Sequence, residues 1–264
     1  MADTEALNQE ALALHEKNHG KLEVRCKVPL EDGHDLSVAY TPGVAEPCRK
    51  IKDNPELSFE YTCRGNMVAV ISDGTRVLGL GDIGPEAAMP VMEGKAVLYK
   101  KFGDVDAVPI CIGTKNPEEF VQIVEKLQPS FGGINLEDIA SPKCYKIEAE
   151  LIKRCQIPVF HDDQHGTAII ACAAVTGALR YLKKDVSQVK VVVNGCGAAG
   201  SAIGKLLVKL GVKDLIMVDV DGAVYEGRPG TMDMATAYLA SVTNPAHYKG
   251  NLAGAVKGAD VLIG

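Results

Sequence analysis

Between the apolar run Val189–Val193 and the apolar segment Ser201–Leu210 stands Asn194-Gly195-Cys196-Gly197-Ala198-Ala199-Gly200. No other stretch constrains the fold as tightly. The first run is almost wholly apolar, as a central parallel strand must be. The second reads as a helix stopped by Gly211, and a further strand, Asp214–Val218, ends at Asp219. A lone GxGxxG is weak evidence. Set between a strand and a helix, with an acid nineteen residues beyond Gly200, it becomes specific. Gly195 permits the tight turn, Gly197 lets a pyrophosphate approach the backbone, and Gly200 lets helix and strand pack closely. Cys196, Ala198 and Ala199 complete the loop, and the free N–H groups of the helix start face the phosphates. Asp219 would accept hydrogen bonds from the adenosine ribose. That favours NAD and opposes the 2′-phosphate of NADP. Asp221 adds a second negative charge, whereas Arg228, close in sequence, keeps NADP open. The plainer readings are a ligand-free glycine turn and a turn or cap aspartate.

Upstream, short apolar runs alternate with helical patterns. Met67–Ile71, Val108–Ile112, Gly133–Leu136, Pro158–Phe160 and Lys190–Val193 read as buried strands. Strands alternating with helices predict an α/β fold: an N-terminal α/β catalytic domain, residues 1–165, followed by a partial Rossmann-type parallel sheet domain, residues 166–264. A helix over Thr167–Lys184 bridges the halves. An N-terminal helix is expected with Thr4 as N-cap and Gly20 as stop. The last strand, near Asp260–Gly264, is read as the third of the cofactor sheet, leaving Val189–Val193 without one neighbour.

With 47% hydrophobic residues the chain can bury a sizeable core. Its net charge of −6 repels phosphate backbones and argues against nucleic acid as a partner. No apolar run reaches the roughly 18 residues of a membrane span, and the N-terminus does not read as a signal peptide. These features predict a soluble cytoplasmic protein without a membrane partner. None of the eight cysteines forms a CxxC pair, so they read as reduced, structural thiols.

Two acidic pairs stand at predicted strand ends: Glu137-Asp138 after Gly133–Leu136, and Asp162-Asp163 after Pro158–His161. Ligands gather outside the carboxyl ends of such strands. Converging carboxylates repel unless a cation sits among them, and hard oxygens suit Mg²⁺ or Mn²⁺. The competing reading is that each pair caps the helix after it. Lys95 has Val91, Met92, Leu98 and Tyr99 as helical neighbours. A desolvated lysine becomes a general base near neutral pH, whereas a lysine at the core edge merely snorkels. Tyr40 precedes the turn Thr41-Pro42-Gly43, where a packed tyrosine is the commoner role and a proton donor the alternative. His34 is weaker evidence still, and His161 and His165 read as site-wall residues, not metal ligands.

Taken in order, several stretches resemble malic enzymes: Tyr40-Thr41-Pro42-Gly43-Val44-Ala45, Ser72 through Asp82, Glu93-Gly94-Lys95, Asn135-Leu136-Glu137-Asp138, and Phe160 through Ala168. They cover nearly the whole chain, in the style of the smaller prokaryotic branch. The resemblance implies Lys95 as general base and Tyr40 as general acid, with Asp162 beside Lys95 to tune its proton affinity. It makes Glu137, Asp138 and Asp163 the ligands of Mg²⁺ or Mn²⁺, and Arg76 a contact to a malate carboxylate. The implied reaction is NAD(P)-dependent oxidative decarboxylation of L-malate to pyruvate and CO₂, in a homodimer or higher homo-oligomer. Family members continue beyond residue 264, so a truncated cofactor domain is expected. Malolactic decarboxylation, a non-catalytic binding or assembly form, and a generic dehydrogenase are the alternatives.

Overall fold

The computed structural model describes residues 2–264, with side chains from Thr4 onward. In chain order the elements are α1 (Ala2–Asn18), α2 (Gly33–Ala39), α3 (Ala45–Asp53), α4 (Ser58–Tyr61), β1 (Met67–Ser72), α5 (Pro85–Gly103), β2 (Asp106–Cys111) and α6 (Pro117–Leu127). Then follow β3 (Gly133–Leu136), α7 (Lys143–Arg154), β4 (Val159–His161), a π-helical turn over Asp162–Gly166, and α8 (Thr167–Leu182). The last part holds β5 (Lys190–Asn194), α9 (Ala198–Lys209), β6 (Asp214–Asp219), β7 (Gly222–Ala223), α10 (Met234–Val242), α11 (Leu252–Ala255) and β8 (Val261–Ile263). The chain forms two compact units. The first holds the chain up to Thr114 with Gln122–Asn135 and Cys155–Pro158; the second holds Lys115–Val121, Leu136–Arg154 and Val159–Gly264.

In the first unit β1 pairs in parallel with β2, from Met67 against Asp106 to Ser72 against Cys111, and β3 lies on the other side of β1. Ala69, Val70 and Ile71 are fully buried, which is why this strand reads as a continuous apolar run. Burying Ile71 contributes roughly 1.5–3 kcal/mol. Helix α5 packs across β1 and β2 through a face that includes Ala88, Met92 and Ala96. Pro85 occupies its first turn, where the missing N–H costs nothing. Helix α1 begins at Ala2, so Thr4 lies inside the helix instead of capping it. Gly20 follows the helix at φ +105 and does mark the stop.

In the second unit the strand order is β7-β6-β5-β8. β5 pairs in parallel with β6, from Lys190 against Asp214 to Asn194 against Val218. It also pairs in parallel with β8, from Val191 against Val261 to Val193 against Ile263. This corrects the expectation that Val189–Val193 lacks a neighbour: β5 has one on each side. The sequence shows where a strand lies but not which edge it joins, and β8 crosses to the far side of β5. The strand order therefore reverses at β5, the switch point where open α/β sheets bind ligands. Side chains alternate between two layers, Val191 and Val193 packing with α8 and α9, and Val192 with Ile216 and Ala255. Among the described residues all eight cysteines are free, and no helix is long and apolar enough to cross a membrane.

Candidate functional site

The glycine-rich loop leaves β5 at Asn194. Gly195 turns the chain at φ +118, a region that side chains avoid. A Cβ on Gly200 would lie 1.9 Å from the carbonyl oxygen of Gly195, so the loop closes on its own helix only because Gly200 has no side chain. A Cβ on Gly197 would meet nothing within 4 Å. Gly197 caps α9 without a side-chain hydrogen bond, so the helix start, Ala198, Ala199 and Gly200, keeps donors for an anion. A cavity of about 660 Å³ opens here, lined by Gly195, Cys196, Gly197, Asp219, Arg228 and Asp233 among others. That volume suits part of a nucleotide. Burial pushes the Cys196 thiol up to about 12.

Asp219 ends β6 on the wall of this cavity, where the sequence reading places it. Sequence reasoning did not foresee its partner. Arg228 donates two hydrogen bonds to it, Nη1 to Oδ1 at 2.7 Å and Nη2 to Oδ2 at 2.6 Å. The backbone N–H of Asp221 donates to the same Oδ1 at 2.9 Å. Burial alone would raise the Asp219 pKa, but the guanidinium and the backbone N–H donors together outweigh it and hold the carboxyl below its ordinary range. The Arg228 side chain is only 8% exposed, and its Nε is buried without a hydrogen-bond partner. The bidentate pair is close to neutral, which weakens the repulsion that an isolated Asp219 would exert on a 2′-phosphate.

The acidic set lies in the same unit. Glu137 and Asp138 are both buried at the end of β3, and Asp138 adopts φ 55, a conformation that aspartate tolerates better than most residues. Asp163 accepts the backbone N–H of Asp138 on Oδ2 at 2.8 Å, joining the two acidic segments. Asp162 and Asp163 occupy the first turn of the π-helical segment, a rare local geometry that recurs at functional sites. A Cβ on Gly166 would lie 2.0 Å from Asp162 Oδ1, so the Asp162 carboxylate folds over a glycine. His161 is fully buried with its Nε2 3.7 Å from Asp163 Oδ2. Burial pushes its pKa down against the pull of Asp163 and Glu148, which keeps the ring neutral near pH 7. Among the described residues no three His, Cys, Asp or Glu side chains are yet close enough to hold a metal ion. The donor chemistry nonetheless fits a hard divalent cation: three carboxylates, two of them buried, with the backbone of Asp138 bonded to Asp163.

In the first unit Lys95 is half-buried on α5, beside the buried Met92 and Ala96. Leu98 is 50% exposed, so the apolar face expected around Lys95 is open at one corner. The chain after α1 ties to this helix: the Lys21 N–H donates to Glu93 at 3.1 Å and Lys21 Nζ to the Pro90 carbonyl at 2.9 Å. Tyr40 caps α2 and is 66% exposed, so it is not a packed core tyrosine. Gly43 closes the following turn by donating to the Ser37 carbonyl at 2.8 Å. Arg76 projects from a loop built on buried Asp73, whose Oδ1 accepts from the Thr75 hydroxyl at 2.6 Å.

Comparison with known proteins bears on all of this. The model of the malic enzyme N-terminal domain matches residues 19–119 and 114–152. The bifunctional malic/malolactic enzyme of Bacillus subtilis (strain 168) is 54% identical over 98% of this chain and 63% of its own length. The NAD-dependent malic enzyme of Geobacillus stearothermophilus is 51% identical over 93% of this chain and 51% of its own. The NADP-dependent malic enzyme of Escherichia coli (strain K12) is 48% identical over 98% of this chain and 34% of its own. The chain thus spans between 34% and 63% of these relatives. The solved NAD-dependent malic enzyme of Thermotoga maritima superposes with a TM-score of 0.93 at 49% identity, covering 96% of this chain and 68% of that one. With the family model matched over half its length, this chain belongs to the malic enzyme family.

Proposed function

We propose that this chain supplies the proton-transfer, metal-holding and dinucleotide-cradling parts of an oxidative decarboxylase. The reaction converts L-malate to pyruvate and CO₂ with reduction of a nicotinamide dinucleotide. One observation carries the reading. Helix α9, which starts at the glycine-rich loop, packs against the π-helical turn bearing Asp162 and Asp163. A dinucleotide cradle and a set of hard oxygen donors therefore share one unit, and hydride transfer alone needs no such donors. Residues 1–165 would form the catalytic and metal-binding part and residues 166–264 the dinucleotide part, in a cytoplasmic homodimer.

Glu137, Asp138 and Asp163 would hold Mg²⁺ or Mn²⁺. Such a cation lowers the pKa of an alcohol bound to it and stabilises negative charge on neighbouring oxygens. Lys95 Nζ takes the proton of the malate C2 hydroxyl as hydride leaves C2. Asp162 tunes the proton affinity of that lysine. Tyr40 Oη delivers a proton to the carbon that has lost CO₂, which becomes the methyl group of pyruvate. Arg76 binds a malate carboxylate.

The test is malate-dependent NADH formation with and without Mn²⁺. Absorbance growth at 340 nm that needs both malate and metal is the expected result, and metal-independent growth refutes the reading. The name of the Bacillus subtilis relative favours one second reading, malolactic turnover, which consumes malate and releases lactate without net NADH. For cofactor choice the Asp219–Arg228 pair is the feature to change. Arg228→Met removes the cation and leaves Asp219 a bare anion, so NADP affinity is expected to fall by about tenfold or more relative to NAD. The chain has no tryptophan, so titration calorimetry is the direct measurement. An unchanged NAD/NADP ratio removes Arg228 from the choice.

A further inference from the structure

We propose that Glu148 is a positioning residue that fixes the π-helical turn carrying Asp162 and Asp163, and so sets the affinity of the carboxylate set for its divalent cation. The inference rests on the metal reading above. Helix α7 buries Cys144, Tyr145, Ile147, Glu148 and Leu151. Glu148 stands four residues after Cys144 and three before Leu151, in the stripe where an amphipathic helix ordinarily places an apolar residue. It is only 7% exposed. A carboxylate withdrawn from water this far is costly unless its oxygens are matched.

Both oxygens are directed at the π-helical turn. Oε2 accepts a hydrogen bond from Gln164 Nε2 at 3.0 Å, whereas Oε1, 2.7 Å from His165 Nε2, has no hydrogen-bond partner in this geometry. Gln164 is itself buried, at 5% exposure. The His165 ring is further held by Phe160, centroid to centroid 5.8 Å. One carboxylate therefore bonds Gln164 and lies against His165, the two residues that directly follow Asp163. A π-helical turn is intrinsically weak, because its hydrogen bonds close wider rings than those of an α-helix. Without an external anchor the segment would relax toward ordinary α geometry and turn its carboxylates to new directions. Glu148, rooted in the middle of a twelve-residue helix, is such an anchor. The grip then passes along the chain to Asp163, and through the Asp163–Asp138 hydrogen bond to the end of β3. Outer partners of this kind change metal affinity by about 10–100-fold when removed.

A buried carboxylate kept only for stability should not behave this way. Its loss would lower the unfolding temperature and leave metal affinity alone. The experiment measures free Mn²⁺ by electron paramagnetic resonance, with thermal unfolding in parallel, for the unaltered chain, Asp163→Ala, Glu148→Ala and Glu148→Gln. Asp163→Ala is the control for the metal site. Glu148→Ala is expected to weaken Mn²⁺ binding by about tenfold or more. Glu148→Gln is expected to recover most of that loss, since its amide oxygen still accepts from Gln164. Parental Mn²⁺ affinity in Glu148→Ala, with Asp163→Ala impaired, overturns the positioning role and leaves the metal site standing. Parental affinity in Asp163→Ala overturns the metal site and this inference with it. Should Glu148→Ala fail to fold, Gln164→Leu removes one arm of the grip. Weakened binding there supports the inference and unchanged binding refutes it.

Discussion

Lys95→Ala is expected to lower the rate of malate-dependent NADH formation by about 10²–10⁴-fold, the usual contribution of a positioned general base. Affinity for the dinucleotide should change little, because Lys95 is not among the residues lining the cavity at the glycine-rich loop. The fold should tolerate the change. Lys95 is half-buried on an interior turn of α5, and alanine is a better helix former than lysine. Lys95→Arg sharpens the test. Arginine keeps the positive charge but does not give up its proton in this pH range, so a residue that only binds a carboxylate would be rescued and a base would not. Steady-state turnover at saturating malate is the measurement. Near-normal turnover in Lys95→Ala would return this side chain to the role of a lysine at the core edge.

The second large effect concerns the loop. Gly200→Ala places a methyl group 1.9 Å from the Gly195 carbonyl oxygen. That atom is backbone, so relief requires the turn itself to open. Overpacking of this kind costs typically 1–3 kcal/mol, and here the displacement falls on the N–H groups that would face a pyrophosphate. NAD affinity is expected to drop by about tenfold or more, measured by calorimetry, together with a lower unfolding temperature. Gly197→Ala is the informative contrast. Its Cβ meets nothing within 4 Å, so it should leave stability intact and act, if at all, only when a dinucleotide occupies the space. Equal behaviour of the two variants would contradict the division of labour between the glycines.

Local signals carried much of the architecture. The run Val189–Val193 is apolar because β5 is buried on both faces, and the glycine turn follows because the chain must reverse at once into α9. Other features depend on partners remote in sequence and left no local trace. Nothing in Val261–Ile263 tells which side of β5 the strand will join. Arg228 reads as a nearby cation that keeps NADP open, and only the fold brings it onto Asp219, nine positions back. Tyr40 has no local feature that reveals its exposure, since that depends on what packs around α2. Glu148 is the instructive case. A charge within the buried stripe of α7 is visible to anyone counting helical positions, but its partners, Gln164 and His165, lie beyond β4. The sequence could mark Glu148 as anomalous and could not say what it holds.

One further consequence belongs to Cys196. It sits between the glycines of the loop, where an oxidant or electrophile entering the cavity would meet it. Burial holds its pKa up at about 12, so the thiol stays protonated near neutral pH. Sulfenylation and alkylation proceed through the thiolate, so this cysteine is chemically quiet despite its address. Burial thus allows the loop to carry sulfur beside the cavity without presenting a reactive thiolate there. The exposed Cys26, Cys48 and Cys63 are the thiols that a labelling reagent would reach first.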